Sequence, residues 1–200
     1  MARSSSRSLW TAKLRGVVAS PGRTAPGKTK RKPATMPVSR GSKAIILGID
    51  PSLRGTGLAV IDTREATPRL LASQTVKLPA KLAAYECLGR IADAVEALMT
   101  RHGVTEVAIE ETIYVQNFRT AQAMGASRGA ALSVLARLGA TVSEYAPKRI
   151  KMAVTGHGAA SKEQVGRMIK SVFGLAEELP LDESDAAAAA LCHAYNARPT

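Results

Sequence analysis

The chain is poor in the residues that would assign it to several protein classes. Aromatic side chains make up 4% of its 200 residues, with a single Trp. It has two cysteines, Cys87 and Cys192, each inside an apolar pattern of helical spacing. Such a pair makes neither a disulfide scaffold nor a zinc site, and reads as buried free thiols suited to a reducing cytoplasm. Apolar runs are short, as in Ala44–Leu47 and Ala186–Cys192, far below the ~20 residues of a membrane-spanning helix. His102, His157 and His193 share no ligand spacing. Residues 1–43 contain no Asp or Glu at all.

That last absence organises the charge. Those residues carry 11 of the 28 Lys and Arg. The rest of the chain holds 17 basic and 16 acidic side chains, so nearly all of the net charge of +12 lies in the tail. A basic tail favours polyanions, nucleic acid above all, through salt-dependent attraction that chooses no particular substrate. Residues 1–42 are rich in Ser, Arg, Lys, Pro and Gly and lack an apolar period, so they are expected to form a disordered extension. A nucleic-acid arm, a targeting peptide and an over-long start all fit that composition, and Met36 is an alternative start. Residues 43–200 have the length of one domain.

The body opens with the Ile-rich run 44–49, a buried strand. A Pro/Gly turn over 51–57 leads to a second strand at 58–61 and a third at 70–77. Pro79 is expected to start a helix reaching His102, with Leu82, Leu88, Ile91, Val95 and Leu98 on one face and Gly103 as its cap. A strand at 104–109, a helix at 119–138, a strand at 141–145 and a helix opening at Pro147 follow. Ser161–Gln164 is a capping box, and a last helix starts near Asp182 and runs to about Tyr195. Short links among the first three strands give antiparallel pairs, and the helical crossovers afterwards give parallel ones. The fold class is α/β: a mixed five-stranded sheet flanked by helices.

Four acids stand at informative places. Asp50 follows the first strand and Glu110 the fourth, so parallel neighbours would deliver both to the carboxyl edge of the sheet. Asp182 and Asp185 lie three apart at a helix start, on one helical face. Carboxylates that converge repel one another unless cations lie between them. Hard Mg²⁺ or Mn²⁺ suits all-oxygen ligands, and two such ions about 4 Å apart hydrolyse phosphodiesters. Each acid also has a plainer reading. Asp50-Pro51-Ser52 fits a turn, Glu111 competes with Glu110, and Asp182 can cap the last helix with Asp185 in its first turn.

Taken together, the residues resemble the RuvC-type Holliday junction resolvases. The likeness rests on Ile46-Leu47-Gly48-Ile49-Asp50-Pro51 with Gly55-Thr56-Gly57, and on Ala108-Ile109-Glu110 with Asn117, Ala121, Gly125 and Arg128-Gly129. It continues through Glu144-Tyr145-Ala146-Pro147, Lys151, Gly156, Gly158, Ala160 and Lys162 to Asp182-Glu183-Ser184-Asp185, in order over nearly all of residues 43–195. The resemblance implies an RNase H-like fold, a homodimer, and paired symmetric nicks in a four-way DNA junction, in recombination and repair. It implies work beside the RuvA–RuvB branch-migration machinery. It carries Asp50, Glu110, Asp182 and Asp185 over as metal-binding catalytic acids, and Lys151 and Lys162 as lysines near the scissile DNA. Lys162, at a helix N-terminus beside a Gly-rich loop, also reads as a phosphate contact from position alone. Asn117, Arg119 and Arg128 are further candidate DNA contacts.

One departure bears on the junction centre. Relatives often carry Phe three residues after the catalytic Glu, where this chain has Ile113 followed by Tyr114. Tyr114 and Phe118 are the candidates to stack on an unpaired base, with core packing as the alternative for both. The helix after Arg119 presents Gly125 and Gly129, which fit either a dimer seam or close packing on its own sheet. Two rival functions remain. A nucleotide-binding domain of the sugar-kinase or actin-like class also opens with a strand, an Asp and a phosphate turn, but needs two lobes and no Asp182/Asp185 pair. A catalytically inactive DNA-binding module of the same fold would bind a junction without cutting it.

Overall fold

The computed structural model describes residues 41–112 and 117–197. Its strands are β1 (Ile45–Asp50), β2 (Gly55–Asp62), β3 (Arg69–Lys77), β4 (Glu106–Glu110) and β5 (Thr141–Tyr145). Its helices are α1 (Ala84–His102), α2 (Phe118–Arg137), α3 (Pro147–Thr155), α4 (Lys162–Phe173) and α5 (Leu181–Asn196). The sheet order is β3-β2-β1-β4-β5. The first three strands pair antiparallel, while β1 with β4 and β4 with β5 pair parallel. This is the mixed five-stranded sheet expected from the spacing of the apolar runs. Among the described residues it is a single sheet, without the second lobe that a kinase-like nucleotide site requires.

Side chains alternate across the strands and so feed two cores. Leu47, Ile49, Leu58, Val60, Val107 and Ile109 pack with α1 and α2. Ile46, Ala59, Ile61, Ala108 and Tyr145 pack with α3, α4 and α5. Ile46, Leu47, Ile49, Ile61 and Ile109 have no exposed surface, and each such burial contributes about 1.5–3 kcal/mol. Both cysteines are buried free thiols, as expected. Among the described residues no helix is long and apolar enough to cross a membrane.

Helix α5 lies flush on the sheet. Its Ala186–Ala190 stretch is at most 1% exposed. A Cβ at Gly48 would overlap the carbonyl oxygen of Ala186, and one at Gly57 would overlap that of Asp182. Two glycines on adjacent strands and a run of alanines therefore let backbone meet backbone.

Three boundaries differ from expectation. The first helix begins at Ala84, not at Pro79. Arg54 donates to the carbonyls of Pro79 (2.6 Å) and Leu82 (2.8 Å), holding residues that a helix would need in a turn instead. The Glu86 carboxylate then accepts from the Ala83 N–H at 2.9 Å and sets the helix start, while Gly103 caps the other end at φ 61° as expected. The body starts before residue 43: Ser42 N–H donates to Ala194 O at 3.1 Å, and its hydroxyl donates to Glu106 at 2.6 Å. Glu106 also meets the buried His193 Nε2 at 2.7 Å, and His193 Nδ1 meets Tyr145 Oη at 2.8 Å. Finally, the last helix is capped by Pro180 without a side-chain bond, so Asp182 lies inside the helix and is not its cap.

Candidate active site

Strand pairing settles where the first two acids go. Ile49 lies opposite Ile109 in the parallel β1–β4 pair. The next residue on each strand, Asp50 and Glu110, therefore leaves the sheet at the same carboxyl edge. Alternation turns both toward α5, the face shared by Ile46 and Ala108. Glu111 is exposed, its N–H donates to Tyr145 O at 3.0 Å, and it is not among the residues lining the cavity that holds Glu110.

Helix α5 brings the other two. Asp182 rests its main chain on Gly57, the cross-strand partner of Asp50. Its carboxylate lies toward Gly55, where an added Cβ would be 3.1 Å from Oδ2. Asp185, nearly one turn on, faces a cavity of about 200 Å³ shared with Asp50, Glu110, Lys151 and Lys162. Ile150 and Val165 form its apolar wall. Between the two Asp residues, Glu183 turns away and accepts from Ser73 Oγ (2.6 Å) and Thr75 Oγ1 (3.2 Å), fastening the start of α5 to β3.

The cluster is electrostatically loaded. Burial pushes the Asp50 carboxyl up to about 7, with the negative charges of Asp185, Glu110 and Asp182 adding to the rise and Lys162 opposing it. Glu110 is raised by burial and by Asp185, against the pull of Lys162 and Lys151. Lys162 donates to Asp185 Oδ2 at 2.5 Å, and that bond holds its ammonium above the usual lysine range. Asp50 and Glu110, two partly buried carboxyls that resist ionisation beside a third acid, offer hard oxygen donors and an unmet demand for positive charge. The donor set thus fits a hard divalent cation in kind. Among the described residues, no three acids already stand as a ready cage.

The family described as "Crossover junction endodeoxyribonuclease RuvC" matches residues 46–193 of the chain. This chain belongs to the RuvC family. It is 44% identical over 151 residues to the RuvC of Halorhodospira halophila, covering 76% of this chain and 90% of that protein. Identity to the RuvC of Hyphomonas neptunium is 41% over 151 residues, with the same coverage. Among solved structures, the Thermus thermophilus RuvC in complex with Holliday junction substrate matches with a TM-score of 0.73 and 36% identity, over 78% of this chain and 95% of that one. The yeast mitochondrial resolvase Ydc2, at 10% identity and a TM-score of 0.56, covering 78% and 82%, shares the fold alone. The fold is the RNase H-like one that the resemblance implied.

In this RuvC family member the expected DNA contacts divide into groups. Lys151 and Lys162 line the acidic cavity. Phe118 is 77% exposed at the start of α2, which removes core packing as its role. Arg119 is exposed beside it. Asn117 caps α2, its Oδ1 accepting from Thr120 N–H at 3.1 Å. Arg128 is drawn into the protein by Glu110 O and Glu144. Tyr114 lies outside the described residues. A Cβ at Gly125 or Gly129 would meet nothing within 4 Å, so these glycines do not serve packing on the sheet. Glu183 and Glu144 stand in the motifs that carry the resemblance, but sequence reading gave neither a role, because their partners Ser73, Thr75 and Arg128 lie far away in the chain.

Proposed function

We propose that this chain resolves four-way DNA junctions by hydrolysing one phosphodiester in each of two like strands. The observation that carries this reading is the convergence of Asp50, Glu110 and Asp185 with two lysines in one cavity, in a RuvC family member. A pair of Mg²⁺ or Mn²⁺ ions, held by Asp50, Glu110, Asp182 and Asp185, would supply the activated water and steady the leaving oxygen. The chain's own residues do the rest. Lys151 and Lys162 offset the acidic charge and draw a backbone phosphate toward it. Ile150 and Val165 exclude bulk water from one side of the cavity. Phe118, exposed at the same end of the sheet, offers a ring on which an unpaired base can stack.

Symmetric cutting calls for two copies of the site. The open face at Gly125 and Gly129 supports a homodimer through α2, since small residues permit close helix approach. The basic residues 1–42 add sequence-blind affinity for the arms. Branch-migration proteins of the RuvA–RuvB kind are the expected partners, in a reducing cytoplasm that suits two buried thiols.

The deciding experiment is cleavage of a synthetic four-way junction with Mg²⁺, run beside Asp50→Asn. The wild type should release nicked duplexes, and the variant should bind without cutting. If both bind equally and neither cuts, the chain is a binding module and the nuclease reading fails.

A further inference from the structure

Arg128 is expected to meet DNA, yet its side chain is only 12% exposed. Nη1 donates to the main-chain oxygen of Glu110 at 2.7 Å. Nη2 pairs with Glu144 Oε2 at 2.6 Å. Both terminal nitrogens are thus engaged on protein atoms. The planar fork of a guanidinium suits this use, because two bonds in fixed directions define a position as well as a charge.

The three partners belong to three different elements. Arg128 stands on α2. Glu110 closes β4, and Glu144 stands on β5 opposite Ile109, one place before Tyr145, the partner of Glu110. Glu144 shares the α2 side of the sheet with Val142, which packs in the core beneath α1 and α2. The Glu110 carboxylate points to the other side, into the acidic cavity. Arg128 therefore grips the carbonyl of Glu110 from behind, on the last peptide of the β4–β5 ladder, whose N–H at Glu111 donates to Tyr145 O. Fixing that carbonyl fixes the direction in which the Glu110 side chain leaves the backbone.

We infer that Arg128 is a positioning residue for the Glu110 carboxylate, acting through the main chain, with Glu144 holding the guanidinium in reach. The inference rests on the nuclease reading above, because it gives Glu110 a task that depends on placement. Misplacing a reacting group by about 1 Å costs on the order of 100-fold in rate. A loss of that order in the chemical step, with little change in affinity, is the signature of such a role.

The test uses the full chain and three variants, Arg128→Met, Arg128→Lys and Glu144→Ala. Single-turnover cleavage of a four-way junction at saturating enzyme with Mg²⁺ gives the rate. Gel shifts with Ca²⁺ replacing Mg²⁺ give the Kd and its salt slope, and thermal melts report folding. Arg128→Met should cut about 100-fold more slowly with Kd within about threefold of wild type. Arg128→Lys, which can still reach the carbonyl with one bond, should recover part of that loss. Glu144→Ala, at a half-exposed position, should slow cutting about tenfold. An Arg128→Met rate within threefold of wild type overturns the inference. So does a Kd that rises as much as the rate falls with a shallower salt slope, which would make Arg128 a phosphate contact. If Arg128→Met does not fold, a wild-type rate in folded Glu144→Ala overturns it instead. A wild type that cuts no junction refutes the nuclease reading and this inference with it, whereas a cutting wild type with an unimpaired Arg128→Met refutes this inference alone.

Discussion

Replacing Asp50 with Asn should destroy cleavage and, without divalent ions, make the protein more stable. The gain should depend on pH in a defined way. In the folded protein the Asp50 carboxyl gives up its proton near 7, against 3.8 for an ordinary aspartate. Below about pH 4 both folded and unfolded chains hold the proton, and Asp50 has no effect on the balance. Between about 4 and 7 the unfolded chain has released a proton that the native state retains, so each rise in pH favours unfolding. Above 7 the native state must carry a buried charge beside Glu110 and Asp185. At about 1.4 kcal/mol per pKa unit the interval is worth on the order of 4 kcal/mol, reduced to about 2–4 kcal/mol by salt and local water. Asparagine, close in shape and always neutral, avoids this cost. For a domain of this size 1 kcal/mol moves Tm by ~2–4 °C. Thermal melts in EDTA should therefore show Asp50→Asn at least about 5 °C above wild type at pH 8 and level with it at pH 4. Mg²⁺ should narrow the gap at pH 8 by stabilising the wild type. An equal gain at both pH values, or none at pH 8, would refute the reasoning that burial and neighbouring acids load this site.

Other perturbations have equally definite outcomes. Gly57→Ala inserts a methyl group into the main chain of Asp182, so chemical denaturation should show a loss of about 3 kcal/mol, and wild-type stability would contradict the backbone contact described above. His193→Ala removes the side chain that joins Tyr145 to Glu106 and leaves Glu106 with Ser42; urea unfolding should register about 1–3 kcal/mol, and a loss below about 0.5 kcal/mol would mean that the network adds nothing. Removing residues 1–40 deletes ten basic side chains while leaving Ser42 on Glu106. Each that neutralises a phosphate contributes ~0.9 to the slope of log affinity against log salt. The truncated chain should bind junctions more weakly with a shallower slope, and an unchanged slope would show that the extension stays off the DNA.

The parts of the site that follow from hydrophobic pattern were readable from the chain alone. The apolar run before Asp50 and the one before Glu110 identify buried strands, and the crossover rule makes them parallel, which places both acids at one edge. The chain alone leaves Glu110 and Glu111 in competition, and only the observed end and register of β4 separate them. What could not be read depends on contacts between distant segments. Pro79 is a sound helix opener until Arg54, far away in sequence, claims the carbonyls of its turn. Asp182 looks like a cap because caps are local, and its true place follows from how closely α5 meets Gly57. Arg128 reads as a surface cation because its partners are a main-chain oxygen, which no sequence displays, and an acid on another strand.

The flush seating of α5 has a mechanical consequence. Gly48 and Gly57 leave no room for a side chain between that helix and the two strands, so the main chains bearing Asp50, Asp182 and Asp185 are packed directly on one another. The facing wall is different: Lys162 stands on α4 at the end of a long stem, more than half exposed. The cavity thus has a packed backbone on one side and, on the other, an exposed lysine stem whose ammonium is tied to Asp185 Oδ2. Moving that lysine aside takes the loss of one side-chain bond and a turn of its torsions, and no displacement of a packed helix.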